Sequence, residues 1–212
     1  MAERSDPFAA LRRLTPARIG LGRVGSGLPT AALLDFQFAH ANAREAVATR
    51  LDAEALAAEL DWPSLILDSA APDRETYLRR PDLGRRLAPG VGPLARGDYD
   101  LAIVIADGLS AAAAQGHAAE VARALVATLG GWRVAPVVIV RQGRVAIGDE
   151  IGERLGARAV VVLIGERPGL SAADGLGAYV TWAPRIGRLD SERNCVSNIR
   201  PDGLPPQAAA RK

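Results

Sequence analysis

Cysteine is nearly absent from this sequence. Its 212 residues contain one, Cys195, so no disulfide can close within the chain, and nothing points to an oxidising compartment. Histidine is almost as scarce. His40 and His117 lie far apart, and two histidines with one cysteine are too few ligands for a protein-built His/Cys metal cluster. Aromatic residues make up 4% of the chain, which argues against a stacking platform for nucleic acid and leaves the core to Ala, Val, Leu and Ile. Lysine occurs once, at Lys212, so nearly all the basic residues are Arg; 26 basic against 24 acidic residues leave a net charge of +2 and no sign of a basic face. The apolar runs, Val160–Ile164 among the longest, are too short to span a bilayer. The N-terminus has no signal-peptide h-region. Neither a P-loop nor a G-x-S-x-G motif is present. The expectation is a cytoplasmic chain without membrane or nucleic-acid partners.

What is present divides into two parts. Residues 1–98 are polar, Arg-rich and helical in pattern, and are expected to form a helical N-terminal segment. Pro29-Thr30 opens a helix running to about Leu51, with Leu33, Phe36, His40, Ala43, Val47 and Leu51 in one stripe. A short helix over Asp52–Leu60 is stopped by Trp62-Pro63, and Leu65–Leu67 reads as a short strand or turn. Residues 99–212 alternate strand-like and helical runs. Leu101–Ala106, Pro136–Val140, Ala159–Ile164, Ala178–Trp182 and Asn194–Ile199 read as strands; Ser110–Leu129 and the Ile147–Leu155 stretch read as helices. Continuous apolar strands alternating with helices predict an α/β fold: a Rossmann-like, mostly parallel sheet with helices on both faces.

Three strands run into loops of unusual composition: Asp107-Gly108-Leu109-Ser110, Arg141-Gln142-Gly143-Arg144-Val145 and Gly165-Glu166-Arg167-Pro168-Gly169. In open α/β sheets the carboxyl ends of parallel strands share one edge, where ligands bind, so these loops are expected to converge. Turn chemistry alone explains each loop equally well. Gly20-Leu21-Gly22-Arg23-Val24-Gly25 matches G-x-G-x-x-G, but the dinucleotide fingerprint needs a strand before it and a helix opening on it, and Pro16 stands just upstream. His40 reads as a packed or interface histidine, His117 as a solvated one, and Cys195, taken alone, as a small buried hydrophobe. The Arg79-Arg80 and Arg85-Arg86 pairs read as a solvated or interface surface. Two functional alternatives stay open on these features: an NAD-binding Rossmann oxidoreductase, and a non-catalytic module that binds anions or a partner.

The segments Arg18–Val47, Tyr77–Leu87, Ala106–Ala111, Arg141–Glu153, Ile164–Arg185 and Glu192–Pro206 resemble, in order, the small subunit of ethanolamine ammonia-lyase. The chain stops at Gln207–Lys212, where the family looks to continue as a C-terminal helix. The resemblance implies an adenosylcobalamin-dependent lyase in which a 5′-deoxyadenosyl radical converts ethanolamine to acetaldehyde and ammonia. It implies a large-subunit partner, a TIM barrel holding the substrate, within a large hetero-oligomer in the cytoplasm or a bacterial microcompartment. Residues 1–98 would contact that partner, and residues 99–212 would form the Rossmann-like cobalamin-binding domain. The family's cofactor contacts match Val145, Glu166 and Cys195. Neither histidine lies in a D-x-H-x-x-G motif, so the cofactor is expected to keep its own benzimidazole base. No residue of this chain is expected to be catalytic or to bind a metal, because the cofactor carries the radical chemistry and the protein orients it.

Overall fold

A computed structural model describes residues 6–212; the first five residues of the expected N-terminal segment lie outside them. The chain begins with a single helical turn, α1 (Ala9–Arg12), and then runs without regular structure to α2 (Thr30–Ala48). It continues through α3 (Ala53–Glu59), β1 (Ser64–Asp68) and α4 (Arg74–Arg79) to a 3-10 turn over Leu83–Arg85. Then come β2 (Leu101–Ala106), α5 (Ala111–Thr128), β3 (Val137–Arg141), α6 (Ile147–Leu155), β4 (Ala159–Gly165), β5 (Leu176–Trp182), β6 (Arg193–Ile199) and α7 (Pro206–Arg211). Side chains start three of these helices. Asp52, Asp73 and Ser110 accept from Ala55 N, Thr76 N and Ala113 N, satisfying amides that a helix leaves free at its first turn. Among the described residues no helix is long and apolar enough to cross a membrane.

The strands form one six-stranded sheet in the order β1-β3-β2-β4-β5-β6. β1, β3, β2 and β4 are parallel; β5 and β6 are antiparallel additions at one edge. The sheet is thus mixed, mostly parallel, and both halves of the chain feed it: β1 pairs with β3 in register from Ser64↔Val137 to Asp68↔Arg141. β5 runs antiparallel because Glu166–Gly175 carries no crossover helix, and without one the chain can only turn back.

The unbroken apolar runs are explained by burial on both sides. Leu101, Ile103 and Ile105 of β2 join α3, α5 and α7 in one core layer; Ala102, Val104 and Ala106 face α6 in the other. β4 alternates likewise, with Val161 and Leu163 toward α5 and Val160, Val162 and Ile164 toward α6. Each large aliphatic side chain so enclosed contributes roughly 1.5–3 kcal/mol. The α2 stripe behaves differently. Leu51, beyond the end of the helix, is buried, but Leu33, Phe36 and His40 are exposed, as are Leu34 and Phe38 beside them. The periodicity finds a helix there; Ala43 and Val47 of the stripe are half-buried, and none of the described residues covers its first part, Leu33, Phe36 and His40.

Candidate functional site

The three polar loops do converge, and the contacts that join them start at β2, the strand between β3 and β4. Asp107, at the end of β2, is 1% exposed and accepts from Gln142 N (3.0 Å) and Gly143 N (3.1 Å), which ties the β2 loop to the β3 loop. Burial pushes its carboxyl upward, opposed by those amides and by Arg74. The clasp holds Gln142 in left-handed backbone, φ +56°. On the other side Leu109 N donates to Gly165 O at 2.9 Å, joining the β2 and β4 loops. A Cβ on Gly165 would stand 1.9 Å from Ser110 O, so only glycine permits that approach.

The β3 loop is held from the other side by α4. Arg74 is buried; its Nε donates to Val47 O and its Nη1 to Gly108 O, both at 2.7 Å. Its Nη1 also reaches Gln142 Oε1 at 3.3 Å. Buried Tyr77 offers its hydroxyl to Gly143 O, and its ring carries the Arg74 and Arg144 guanidinium groups at 4.7 and 4.3 Å. Residues of the expected N-terminal segment therefore position a loop of the second half.

Glu166 follows β4 directly. Its Oε2 accepts from Asn198 N at 3.2 Å, and no group among the described residues donates to Oε1. Partial burial raises its carboxyl above the ordinary range, only partly offset by that one amide. Gly175 and Gly177 leave room for the carboxylate: a Cβ on either would lie 3.1 Å from one of its oxygens. Cys195 is the cross-strand partner of Tyr179, which places both on one face of the sheet. Burial raises the Cys195 thiol, and it pushes the Tyr179 phenol to about 12, reinforced by the hydrogen-bonding neighbour Cys195 and the nearby Glu166 charge. Tyr179 packs against the α6-side core layer, as does Val145, two residues before α6. The structure thus brings Glu166 and Cys195 together around Tyr179, and sets Val145 on the same side of the sheet. The flanking strand β6 is fixed by Arg193, whose guanidinium grips Asp149 of α6 at 2.6 and 2.7 Å, both side chains nearly inaccessible.

Several expectations need correction. Cys195 is exposed rather than a buried hydrophobe, because it lies on an edge strand that no helix covers on this face. His117 is not solvated: its side chain is 14% exposed and sits 3.4 Å from Asp174, whose other oxygen faces Arg200. At the Gly20–Gly25 motif, where the sequence already spoke against a dinucleotide, Val24 and Gly27 close a tight turn over Gly25-Ser26, with neither a preceding strand nor a helix opening on the glycines. Tyr179 escaped the sequence reading because one tyrosine in a strand looks like core packing; its neighbours come from β4 and β6. Among the described residues, no three His, Cys, Asp or Glu side chains converge where a metal ion could be held.

Residues 5–212 match the family model for the ethanolamine ammonia-lyase light chain. Similar curated proteins include the ethanolamine ammonia-lyase small subunits of Azotobacter vinelandii, 55% identical over 100% of this chain and 84% of that one, and of Ralstonia nicotianae, 54% identical over 98% and 81%. That of Xanthomonas campestris pv. campestris is 53% identical over 98% of this chain and 80% of its own.

Proposed function

The chain belongs to the ethanolamine ammonia-lyase small-subunit family, and on that premise we propose that it forms one wall of an adenosylcobalamin site at the boundary with a large subunit. The reaction is the conversion of ethanolamine to acetaldehyde and ammonia. The bound cofactor supplies the radical chemistry, and this chain's residues hold and orient it while excluding water. Substrate would sit on the large subunit, read as a TIM barrel, within a hetero-oligomer in the cytoplasm or a microcompartment. The sheet is read as Rossmann-like: α5 and α6, the helices following β2 and β3, lie on opposite faces, which opens a crevice at the carboxyl edge.

One observation carries the reading: Glu166 keeps an oxygen to which no group among the described residues donates, beside a gap left by Gly175 and Gly177. Cobalamin is edged with carboxamides and carries ribose hydroxyls, so its N–H and O–H groups match that free acceptor. A hydrogen bond to a charged group contributes about 1.5–3 kcal/mol. Val145 and Cys195 offer small surfaces on the same side of the sheet, which suits a flat macrocycle. The two histidines support retention of the cofactor's own base. His40 is on α2, and His117 belongs to α5, which packs on the sheet face opposite Tyr179. Superhyperfine coupling from nitrogen-15-labelled protein histidine in the cob(II)alamin electron paramagnetic resonance spectrum would overturn that point.

The exposed apolar side chains of α2 suit the contact with the large subunit. Phe36 and Phe38, with Leu33 and Leu34, expose apolar area on one helix of a chain whose family works with a second subunit. In the complex of both subunits, Glu166→Ala should weaken cobalamin retention on gel filtration about tenfold or more and leave the fold intact. Unchanged retention would remove the site. The isolated chain supplied with adenosylcobalamin should not deaminate ethanolamine.

A further inference from the structure

We propose that Tyr179 is a further cofactor-contact residue, whose phenol donates to the carbonyl of the same rim carboxamide whose N–H groups Glu166 accepts. This rests on the cobalamin reading above. A primary carboxamide presents a donor and an acceptor side by side, and a carboxylate can satisfy only the donor. Glu166 alone would leave the amide carbonyl to water or to an unpaired, desolvated state, which is unfavourable. The missing partner must be a neutral donor beside Glu166 on the same face.

Tyr179 meets those conditions. It is paired with Cys195 across β5 and β6, and it faces the α6 side. Its ring and Glu166 flank one gap: a Cβ added to Gly177 would lie 3.1 Å from Tyr179 Cε2 and 3.1 Å from Glu166 Oε1. The residue is half-buried, so its ring is fixed by packing while part of it remains open to a ligand. Burial, with Cys195 and Glu166 as neighbours, keeps the phenol protonated throughout the working pH range. A lysine or arginine here would instead pair with Glu166 and remove its free acceptor. The Cys195 sulfur, its thiol also raised by burial, is only a weak acceptor for the phenol, so it does not compete with a carboxamide carbonyl for the hydroxyl proton.

The test is the affinity of the two-subunit complex for hydroxocobalamin, measured by equilibrium dialysis with absorbance readout. Tyr179→Phe keeps the ring and deletes the hydroxyl, and should weaken binding about threefold to tenfold, as loss of one neutral hydrogen bond implies. Its thermal midpoint should stay within about 2 °C of the parent, because the hydroxyl is not deeply enclosed. Wild-type affinity in Tyr179→Phe, alongside weakened binding in Glu166→Ala, would overturn the inference and leave the cobalamin reading standing. Wild-type affinity in both variants would sink the reading and the inference together. Disappearance of the Tyr179→Phe effect in a Cys195→Ala background would mean that the phenol acts only through the thiol, which overturns direct contact.

Discussion

Glu166 is a residue whose position opposes folding. Its carboxyl is raised by burial and relieved by a single amide, so the folded chain holds that proton more tightly than the unfolded chain. For an acid with a raised pKa, the favourable term is complete below the ordinary carboxylate value and is lost as pH rises through the raised one. Glu166→Gln should therefore raise the thermal midpoint of the chain at neutral pH. The gain should shrink toward zero as the pH is taken below the ordinary glutamate range near ~4.3. Thermal melts of both forms across pH check this; a constant difference would contradict it. The carboxylate that serves cofactor binding would then be one that lowers the stability of the chain at neutral pH. Gly177 tests the neighbouring gap. Gly177→Ala should reduce cobalamin retention severalfold at a cost of roughly 1 kcal/mol, because the new methyl must displace Glu166 or Tyr179.

At the level of elements, the site depends on how β6 is held to α6. Arg193 and Asp149 form a bidentate pair, with Thr181 Oγ1 accepting a further bond from Arg193 Nη1. Removing one partner strands the other charge in the interior, so Arg193→Ala should destabilise the chain by about 3–5 kcal/mol in urea unfolding. A double Arg193→Leu, Asp149→Leu variant should cost much less than the single truncation, since no unpaired charge remains. The strands and helices themselves were largely legible in the sequence. Leu101–Ala106 and Ala159–Gly165 are apolar on both pleat faces, and Asp52 and Ser110 mark helix starts, whereas α4 after Asp73 emerged only in the structure. The antiparallel direction of β5 was not legible, because the composition of Leu176–Trp182 is the same whichever way it pairs; the short return from β4 decides it. Nor was the role of Arg74, whose three hydrogen-bond partners come from α2 and from the loops after β2 and β3.

At the level of the whole molecule, the chain folds with one helix unsatisfied. Exposed Phe36 and Phe38 should matter to assembly and not to folding. A Phe36→Ser, Phe38→Ser variant should keep its circular dichroism and melt within about 2 °C of the parent, yet lose co-elution with the large subunit. Retained co-elution would put the contact elsewhere. The amphipathic stripe of α2 was readable from residue spacing, but spacing cannot say what covers a stripe. Only the packing shows that the described residues leave its first part, from Leu33 to His40, uncovered.

The sequence by itself determined the α/β class, the position of the central strands, the scarcity of histidine and cysteine, and the family to which the chain belongs. Those properties are written in local composition and in the order of residues. The tertiary structure alone decided that Glu166, Tyr179 and Cys195 share one surface, that Cys195 is open and His117 is not, and that Arg74 locks two loops. Such facts depend on which strands lie side by side and which face a helix covers. Pairing and coverage are set by the whole chain's burial of apolar surface, so no local window of sequence contains them.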